Sequence, residues 1–159
     1  MYNNPFTIVA ARGELYTFRR IYSDLTSAGK GAELRIPVVK KILTIGDYTI
    51  SGYEELVAVE RKERTDFVSS LLSRREDTEA KIAIMNNLLN AAIVIESEFS
   101  VILEKARHNT RKGIFRTYLA WSIRYPNVHW YFMRDFRDGE IFTFRFLERF
   151  WKIRNGICD

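Results

Sequence analysis

The chain has 159 residues, of which 47% are hydrophobic and 14% aromatic, so it is long and apolar enough for one packed domain and does not resemble a disordered chain. A net charge of +5 and a pI of about 9.4 favour polyanionic partners, with nucleic acid the first to consider. No apolar run reaches the roughly 20 residues of a membrane span, and the single cysteine, Cys158, excludes an internal disulfide, so we expect no membrane partner and an intracellular location (cytoplasm or nucleoid).

The first half of the chain is predicted to contain a β hairpin. The β-rich run 33–50 is broken at Gly46-Asp47, a turn is expected at Ser51-Gly52, and the alternation resumes in EELVAVERK, residues 54–62. The preceding loop SAGKGAE, residues 27–33, lacks the GKS or GKT ending of a phosphate-binding loop, which argues against a nucleotide site.

Helices and strands alternate in the second half. Thr65 or Asp66 is a candidate cap for the helix that follows. The apolar patterns predict helices from 67, over 80–89, around 99–107, around 114–125 and over roughly 139–153, and strands at 91–96 and 127–132. This order predicts an α/β fold with a mixed central sheet flanked by helices on both faces.

Two carboxylates and a lysine are expected to meet at the end of the hairpin. Side chains alternate along a strand, so Glu60 and Lys62 point to one face and Arg61 to the other. Pairing of the hairpin strands brings Asp47 towards Glu60. Such a group suits a hard divalent cation with oxygen ligands, but the spacing alone is equally compatible with an aspartate at a hairpin kink and a Glu–Lys surface pair.

The residues around this hairpin resemble a known family. GDY at 46–48 followed by VERKERTDF at 59–67 is similar to the GD…ERK-x3-D motif of the XPF-type (xeroderma pigmentosum group F) nucleases. That family belongs to the PD-(D/E)XK, restriction-endonuclease-like superfamily. The similarity extends to AAIVIE, AWSIRYPNVHWYF and TFRFLERFW, so it covers most of the chain and is closest to small single-domain microbial and phage-like members.

The resemblance implies a restriction-endonuclease-like fold and Mg²⁺- or Mn²⁺-dependent hydrolysis of DNA, with branched or single-strand/duplex junctions as the expected substrates. Asp47 and Glu60 would be metal ligands, and Lys62 would position or activate the attacking water and stabilise the developing charge. Arg61 and Asp66 match the remaining motif positions. For these two, an ion pair on the far face and a helix N-cap are the alternatives.

The N-terminus departs from the family pattern. The family opens with a strand ending in D-x-R-E before a Pro-aromatic pair, whereas only Met1-Tyr2-Asn3 precede Asn4-Pro5-Phe6 here. We therefore treat residues 1–159 as one nuclease domain in which the D-x-R-E strand is apparently absent. Glu14 is the nearest later acid that could substitute.

Basic, acidic and aromatic residues in the second half of the chain each have a functional and a structural interpretation. Arg107, Arg111, Lys112 and Arg116 are candidates for DNA phosphate contacts, with ordinary solvated charge as the alternative. Glu96 ends a buried strand, where an ion pair or cap is favoured over a role in orienting water. Aromatic residues cover more than one face of the last helix, and the resemblance implies homodimerisation through it.

These observations predict a metal-dependent DNA endonuclease. The alternative is a catalytically inactive DNA-binding or scaffold module that retains the nuclease fold, which the missing N-terminal acids favour. Sequence does not identify the DNA structure that is cut.

Overall fold

The computed structural model describes residues 1–23 and 31–157. Most of the SAGKGAE loop and Cys158 lie outside these residues. The described strands are β1 (Tyr2–Asn3), β2 (Ile8–Ala11), β3 (Leu34–Arg35), β4 (Val38–Lys41), β5 (Tyr48–Ile50), β6 (Val57–Lys62), β7 (Asn90–Ile95) and β8 (Val128–Phe132). The described helices are α1 (Arg64–Leu71), α2 (Arg75–Met85), α3 (Phe99–Lys105), α4 (His108–Arg124) and α5 (Phe136–Arg154).

Six strands form one mixed sheet in the order β4-β2-β5-β6-β7-β8. Strands β5 and β6 form the predicted antiparallel hairpin, with Tyr48 opposite Val59. Strands β6, β7 and β8 are parallel, and Lys62 lies opposite Ile95 at their carboxyl ends. The prediction of a mixed sheet between helical layers is confirmed, because separate apolar cores cover its two faces.

The two faces carry different helices. Val57 and Val59 of β6 face the core that contains Phe144 and Leu147 of α5. Ala58, between them, faces the core formed by α1 to α4, in which Phe67 and Trp121 are fully buried. Because of this alternation, Glu60 and Lys62 extend towards α1 and α2, and Arg61 extends towards α5.

The N-terminal segment differs from the expectation. Residues Ile8–Ala11, for which no secondary structure is predicted from the sequence, form β2. This strand lies between β4 and β5 inside the sheet. Ile8, Val9 and Ala10 are buried, which explains the absence of polar residues along this strand. The strand contains no carboxylate, and Glu14 follows three residues after its end.

Four helices begin earlier than their apolar patterns indicate. Helix α1 starts at Arg64, α2 at Arg75, α4 at His108 and α5 at Phe136. Apart from Gly113 and Phe136, the residues added at these starts are polar or charged, and Glu76 and Asp77 favourably occupy the positive end of α2. An apolar pattern detects only the part of a helix that is packed on the core. Among the described helices, none is long and apolar enough to cross a membrane.

Candidate active site

Asp47 and Glu60 line one cavity of about 260 Å³ at the end of the hairpin. The loop before β5 forms one wall, and Lys81, Ile84 and Met85 of α2 form another. Ala11, the last residue of β2, also lines the cavity. The two carboxylates that the motif singles out are thus brought together on the face that β6 presents to α2.

Gly46 allows the chain to turn into this cavity. Its φ of +69° is a left-handed conformation that residues with a Cβ adopt only under strain. A Cβ atom at this position would also lie 3.0 Å from the Cβ of Ala58 and 3.1 Å from the carbonyl oxygen of Val59. The glycine of the GDY sequence therefore lets the Asp47 backbone pack closely on β6.

The environment of Asp47 disfavours its ionised form. Burial is the main cause that raises its pKa, followed by the negative charges of Glu60 and Glu14, and the result is a pKa of about 7. The hydrogen bond that the Arg61 amide donates to Oδ2 of Asp47, at 2.7 Å, opposes this shift. Within residues 1–23 and 31–157, Asp47 has no ion pair with a lysine or arginine. A positive charge in the cavity would therefore stabilise this carboxylate.

Lys62 lies beside Glu60, on the same face of β6. Its Nζ donates to Oε1 of Glu60 at 3.0 Å and lies 3.5 Å from Oδ2 of Asp66. The lysine side chain is only 9% exposed, so its orientation is restricted by packing as well as by its two partners. Lys62 itself does not line the cavity, but its ammonium group is held beside the cavity residue Glu60 with hydrogen-bonding capacity left for a third partner.

The interpretation of Asp66 as a helix cap is wrong. Glu63 occupies the N-cap position of α1 without a side-chain capping hydrogen bond, and Asp66 lies within the first turn. Its carboxylate pairs with Lys62 and with the guanidinium of Arg74. Partial burial raises the pKa of Asp66, but Arg74 and Lys62 outweigh it and hold that pKa below its usual value. Asp66 acts in the structure as the second anionic partner of Lys62.

Arg61 points to the opposite face of the sheet, as the alternation predicts. Its Nε and Nη2 atoms donate to the two carboxylate oxygens of Glu96 at 2.7 and 2.9 Å. The guanidinium lies over the rings of Tyr16 and Phe136, at 5.5 and 5.3 Å from their centres. Burial lowers the pKa of Arg61, but Glu96 more than compensates and raises it above its ordinary value.

Tyr16 and Glu14 complete a cluster that the sequence did not predict. The Tyr16 hydroxyl donates to Oε1 of Glu96 at 2.6 Å, and the Tyr48 hydroxyl donates to Oε2 of Glu14 at 3.0 Å. Gly139 of α5 is needed for this approach, because a Cβ there would lie 2.4 Å from the Tyr16 hydroxyl. Glu96 was singled out at the end of its strand, and its ion pair is found. No local sequence pattern predicts Tyr16 as part of this cluster, because its partner Glu96 lies 80 residues away in the chain.

We expect Glu96 to position the β6 residues through Arg61. Glu96→Gln should leave the buried guanidinium without its main counter-ion and cost on the order of 3 kcal/mol of unfolding free energy in urea. Cleavage should also fall through kcat, because the Arg61 backbone contacts Asp47.

Glu63→Gln is the matched control, since Glu63 contacts the same guanidinium at 3.3 Å but is 63% exposed. It should change stability by less than about 1 kcal/mol. Equal effects of the two substitutions would contradict a positioning role for Glu96.

The predicted DNA-contacting cations lie on and just before α4. Arg107 precedes the helix, and Arg111, Lys112 and Arg116 are exposed in it. The guanidinium of Arg111 donates to the backbone carbonyls of Glu104 and Ala106, each at 3.1 Å, so it also holds the end of α3. The side chains of Lys112 and Arg116 extend into solvent.

The donor set fits a hard divalent cation. Asp47 and Glu60 supply carboxylate oxygens in one cavity, and burial, with the charges of Glu60 and Glu14, raises the pKa of Asp47. Mg²⁺ commonly uses one or two protein carboxylates and takes its remaining ligands from water and phosphate. No cluster of three His, Cys, Asp or Glu side chains suited to a metal occurs in the described part of the chain.

Comparisons with known proteins agree with this fold. Two structures of XPF from Aeropyrum pernix are similar to this chain. The one in complex with DNA has a TM-score of 0.58 and 20% identity, over 75% of this chain and 55% of that chain. The other has a TM-score of 0.60 and 19% identity, over 91% and 61%. The chain thus spans little more than half the length of these structures, and the likeness establishes the restriction-endonuclease-like fold.

The sequence comparisons are more selective. No curated protein matches the chain. The family model described as the ERCC4 domain matches residues 22–146, more than three quarters of the chain, and includes the GDY and ERK sequences. The chain therefore belongs to the ERCC4 domain family, the family of the XPF nucleases.

Proposed function

We propose that this protein is a metal-dependent DNA endonuclease. The observation that carries the proposal is the shared cavity of Asp47 and Glu60, with the Lys62 ammonium 3.0 Å from Glu60 and on the same face of the sheet. Carboxylates with strongly perturbed pKa values in a cleft are candidates for ligand and catalytic groups, and the raised pKa of Asp47 meets that description. Family membership and the likeness to an XPF structure in complex with DNA support the choice of DNA.

Each residue has a distinct part in this proposal. Asp47 and Glu60 would hold Mg²⁺ or Mn²⁺, and the bound cation would supply Lewis acidity and lower the pKa of a water molecule. Lys62 would orient the attacking water and stabilise the charge that develops on the phosphate oxygens. Asp66 restrains the Lys62 ammonium from its other side. Arg61 acts indirectly, through the rigidity of β6.

A cleavage assay tests the function. Labelled flap, fork, nicked, four-way and blunt duplex DNAs should be incubated with the protein and Mg²⁺, Mn²⁺ or EDTA. We expect cutting with a divalent cation, preference for the branched or junction substrates, and none in EDTA. Failure to cut any substrate with either metal would contradict the enzyme proposal.

The second candidate is an inactive DNA-binding or scaffold module. The observation in its favour is that β2 ends beside the cavity at Ala11 and brings no third carboxylate. Glu14 follows and is turned towards Tyr48 and Arg61, away from the cavity. Salt-dependent DNA binding without cleavage by any metal would favour this candidate.

We also propose that two copies pair through α5. Phe144, Leu147 and Phe150 face the core, whereas Phe142 and Phe146 are half-buried beside Tyr131 of the edge strand β8. A cavity of about 510 Å³, with apolar walls and the side chains of Arg149 and Arg154 in its lining, lies between this strand and the end of α5, where Ile153 is 69% exposed.

Light scattering should therefore give about twice the mass of the 18.7 kDa chain. Ile153→Lys should give a monomer, because a third cation beside Arg149 and Arg154 cannot be buried in an interface without a counter-ion. A monomeric wild type at micromolar concentration would contradict pairing.

A further inference from the structure

A second concave site lies on the outer flank of α1, separate from the carboxylate cavity. It is a groove of about 460 Å³ between α1 and the junction of α3 with α4. Its lining comprises Arg64, Thr65, Val68, Ser69, Leu72, Ser73, Ile102, Lys105, Ala106, Arg107 and Thr110. We refer to these residues as the α1–α4 groove.

The charge of the α1–α4 groove has a single sign. Three of its side chains are cationic, namely Arg64, Lys105 and Arg107, and none is a carboxylate. Among the described residues, these three cations have no ion pair, unlike Arg61, which is bonded to Glu96. Three unpaired cations around one concavity repel each other, and an anionic ligand would relieve that repulsion.

The remaining lining suits a chain with both charged and apolar parts. Four hydroxyl groups, from Thr65, Ser69, Ser73 and Thr110, lie among the cations, and the other residues form an apolar floor. A nucleic-acid strand presents phosphates along its backbone and apolar sugar and base surfaces between them. In a duplex the bases are stacked inside, so an apolar floor under a cationic rim fits one unpaired strand better than a duplex.

The groove also lies close to the reacting centre. Arg64 begins α1 only two residues after Lys62, at the carboxyl end of β6. Lys105 and Arg107 belong to the segment that follows the neighbouring strand β7, and β6 and β7 are parallel. A strand held in the groove would therefore continue towards the cavity of Asp47 and Glu60.

We propose that the α1–α4 groove binds the phosphate backbone of a single DNA strand next to the phosphate that is cut. This inference rests on the proposed endonuclease function. Arg64, Lys105 and Arg107 contact successive phosphates, and the Thr65 hydroxyl supplies an additional donor. The hydroxyls of Ser69, Ser73 and Thr110 already donate to backbone carbonyls. The site selects DNA with an unpaired strand, because a blunt duplex cannot place its bases on the apolar floor.

Salt-dependent binding tests the inference. A fluorescent oligo-thymidine of about 12 nucleotides and a blunt duplex of the same length should be titrated with wild type, with Arg64→Gln, Lys105→Gln and Arg107→Gln, and with the triple variant. Each contact to a single strand contributes about 0.7 to the slope of log affinity against log salt. The triple variant should lose about 2 from that slope and about 100-fold in single-strand affinity at 0.1 M salt. Its affinity for the duplex should fall much less.

Arg35→Gln is the matched control, since it removes one exposed positive charge on β3, whose neighbours Leu34 and Ile36 pack on the α5 side of the sheet. It should leave both binding constants unchanged. Cleavage of a fork by the triple variant should show a raised KM with kcat within about threefold of wild type, because these residues do not touch the reacting atoms.

The outcomes separate the two proposals. If wild type binds and cuts DNA but the groove variants behave like Arg35→Gln, the groove proposal is wrong and the nuclease proposal stands. Equal losses on single strand and duplex would also overturn the single-strand assignment. If wild type neither binds nor cuts DNA, the proposed function itself fails.

Discussion

Lys62→Ala is expected to lower the rate of DNA cleavage by about 10²- to 10³-fold, the usual cost of removing one donor that stabilises charge in a transition state. The affinity for DNA should change by less than about twofold, because one buried lysine contributes little to a many-contact phosphate interface. The measurements are single-turnover cleavage of a fork substrate and equilibrium binding in the presence of Ca²⁺. A large loss of rate with unchanged binding would assign Lys62 to the chemical step.

Lys81→Ala provides the control for this substitution. Lys81 lines the same cavity but lies on α2, where its side chain is exposed, and no bond links it to Glu60. Lys81→Ala removes one positive charge, as Lys62→Ala does, so a purely electrostatic effect would reduce cleavage in both variants. We expect Lys81→Ala to retain cleavage within about tenfold of wild type. A similar loss in the two variants would contradict a specific role for Lys62.

Folding must be measured alongside, because Lys62 also balances Glu60 and Asp66. Its removal leaves Glu60 without its ion-pair partner, whereas Asp66 keeps Arg74. A melting curve distinguishes a folded, inactive variant from an unfolded one. Lys62→Met preserves the aliphatic packing of this 9% exposed side chain and should be equally inactive.

The hairpin and its polar end could be predicted because their causes are local. Alternation along β6 places Glu60 and Lys62 on one face and Arg61 on the other, whatever the rest of the fold. The break at Gly46 places Asp47 beside β6 because two adjacent antiparallel strands have few alternative registers. Local rules therefore determine which side chains share the cavity.

The far face of the site could not be predicted. Tyr16 and Arg61 reach Glu96 from segments that are distant in the chain, and their approach depends on Gly139 in α5. No local pattern records such contacts. The cap interpretation of Asp66 fails for a related reason, since a position near a helix start is typical of a cap, whereas the partners of this carboxylate are Lys62 and Arg74.

Strand β2 was missed because its sequence is short and apolar. Four residues of the type Ile-Val-Ala-Ala show no alternation, since both faces of a central strand are buried. The family pattern predicts a strand that ends in acidic residues, whereas β2 contains no acidic residue. As a consequence, Ala11 lines the cavity at a position where an acidic residue would have added a third carboxylate.

Asp47→Asn is expected to stabilise the metal-free protein while it removes activity. Burial, with the charges of Glu60 and Glu14, raises the pKa of Asp47 to about 7, against about 3.9 for an exposed aspartate. The folded protein therefore binds more protons than the unfolded chain between these values, and this group's contribution to stability falls as the pH rises through that interval. Asparagine has no charge to desolvate, and it keeps an oxygen for the Arg61 amide.

The increase in unfolding free energy caused by Asp47→Asn should therefore become larger as the pH rises. Wild type and variant should be nearly equal close to pH 4, and the difference should grow to a plateau above about pH 7. The upper limit is about 4 kcal/mol, obtained from the full difference between the two pKa values. Urea unfolding in EDTA from pH 5 to pH 8 measures it. Asp138→Asn should show the opposite sign, because Arg134 holds the pKa of Asp138 below its usual value.

Metal ions should reverse the order of stability. If Asp47 is a ligand, Mn²⁺ binds the folded wild type and raises its melting temperature, and the bound protein releases a proton near neutral pH. Asp47→Asn should show little rise and should cut DNA at least about 10²-fold more slowly. A variant that is no more stable than wild type at pH 8 would contradict the electrostatic environment described for Asp47. An Asp47→Asn variant that keeps both cleavage and the Mn²⁺-induced rise in melting temperature would exclude Asp47 as a ligand, because a neutral amide is a poorer ligand for a hard cation than a carboxylate.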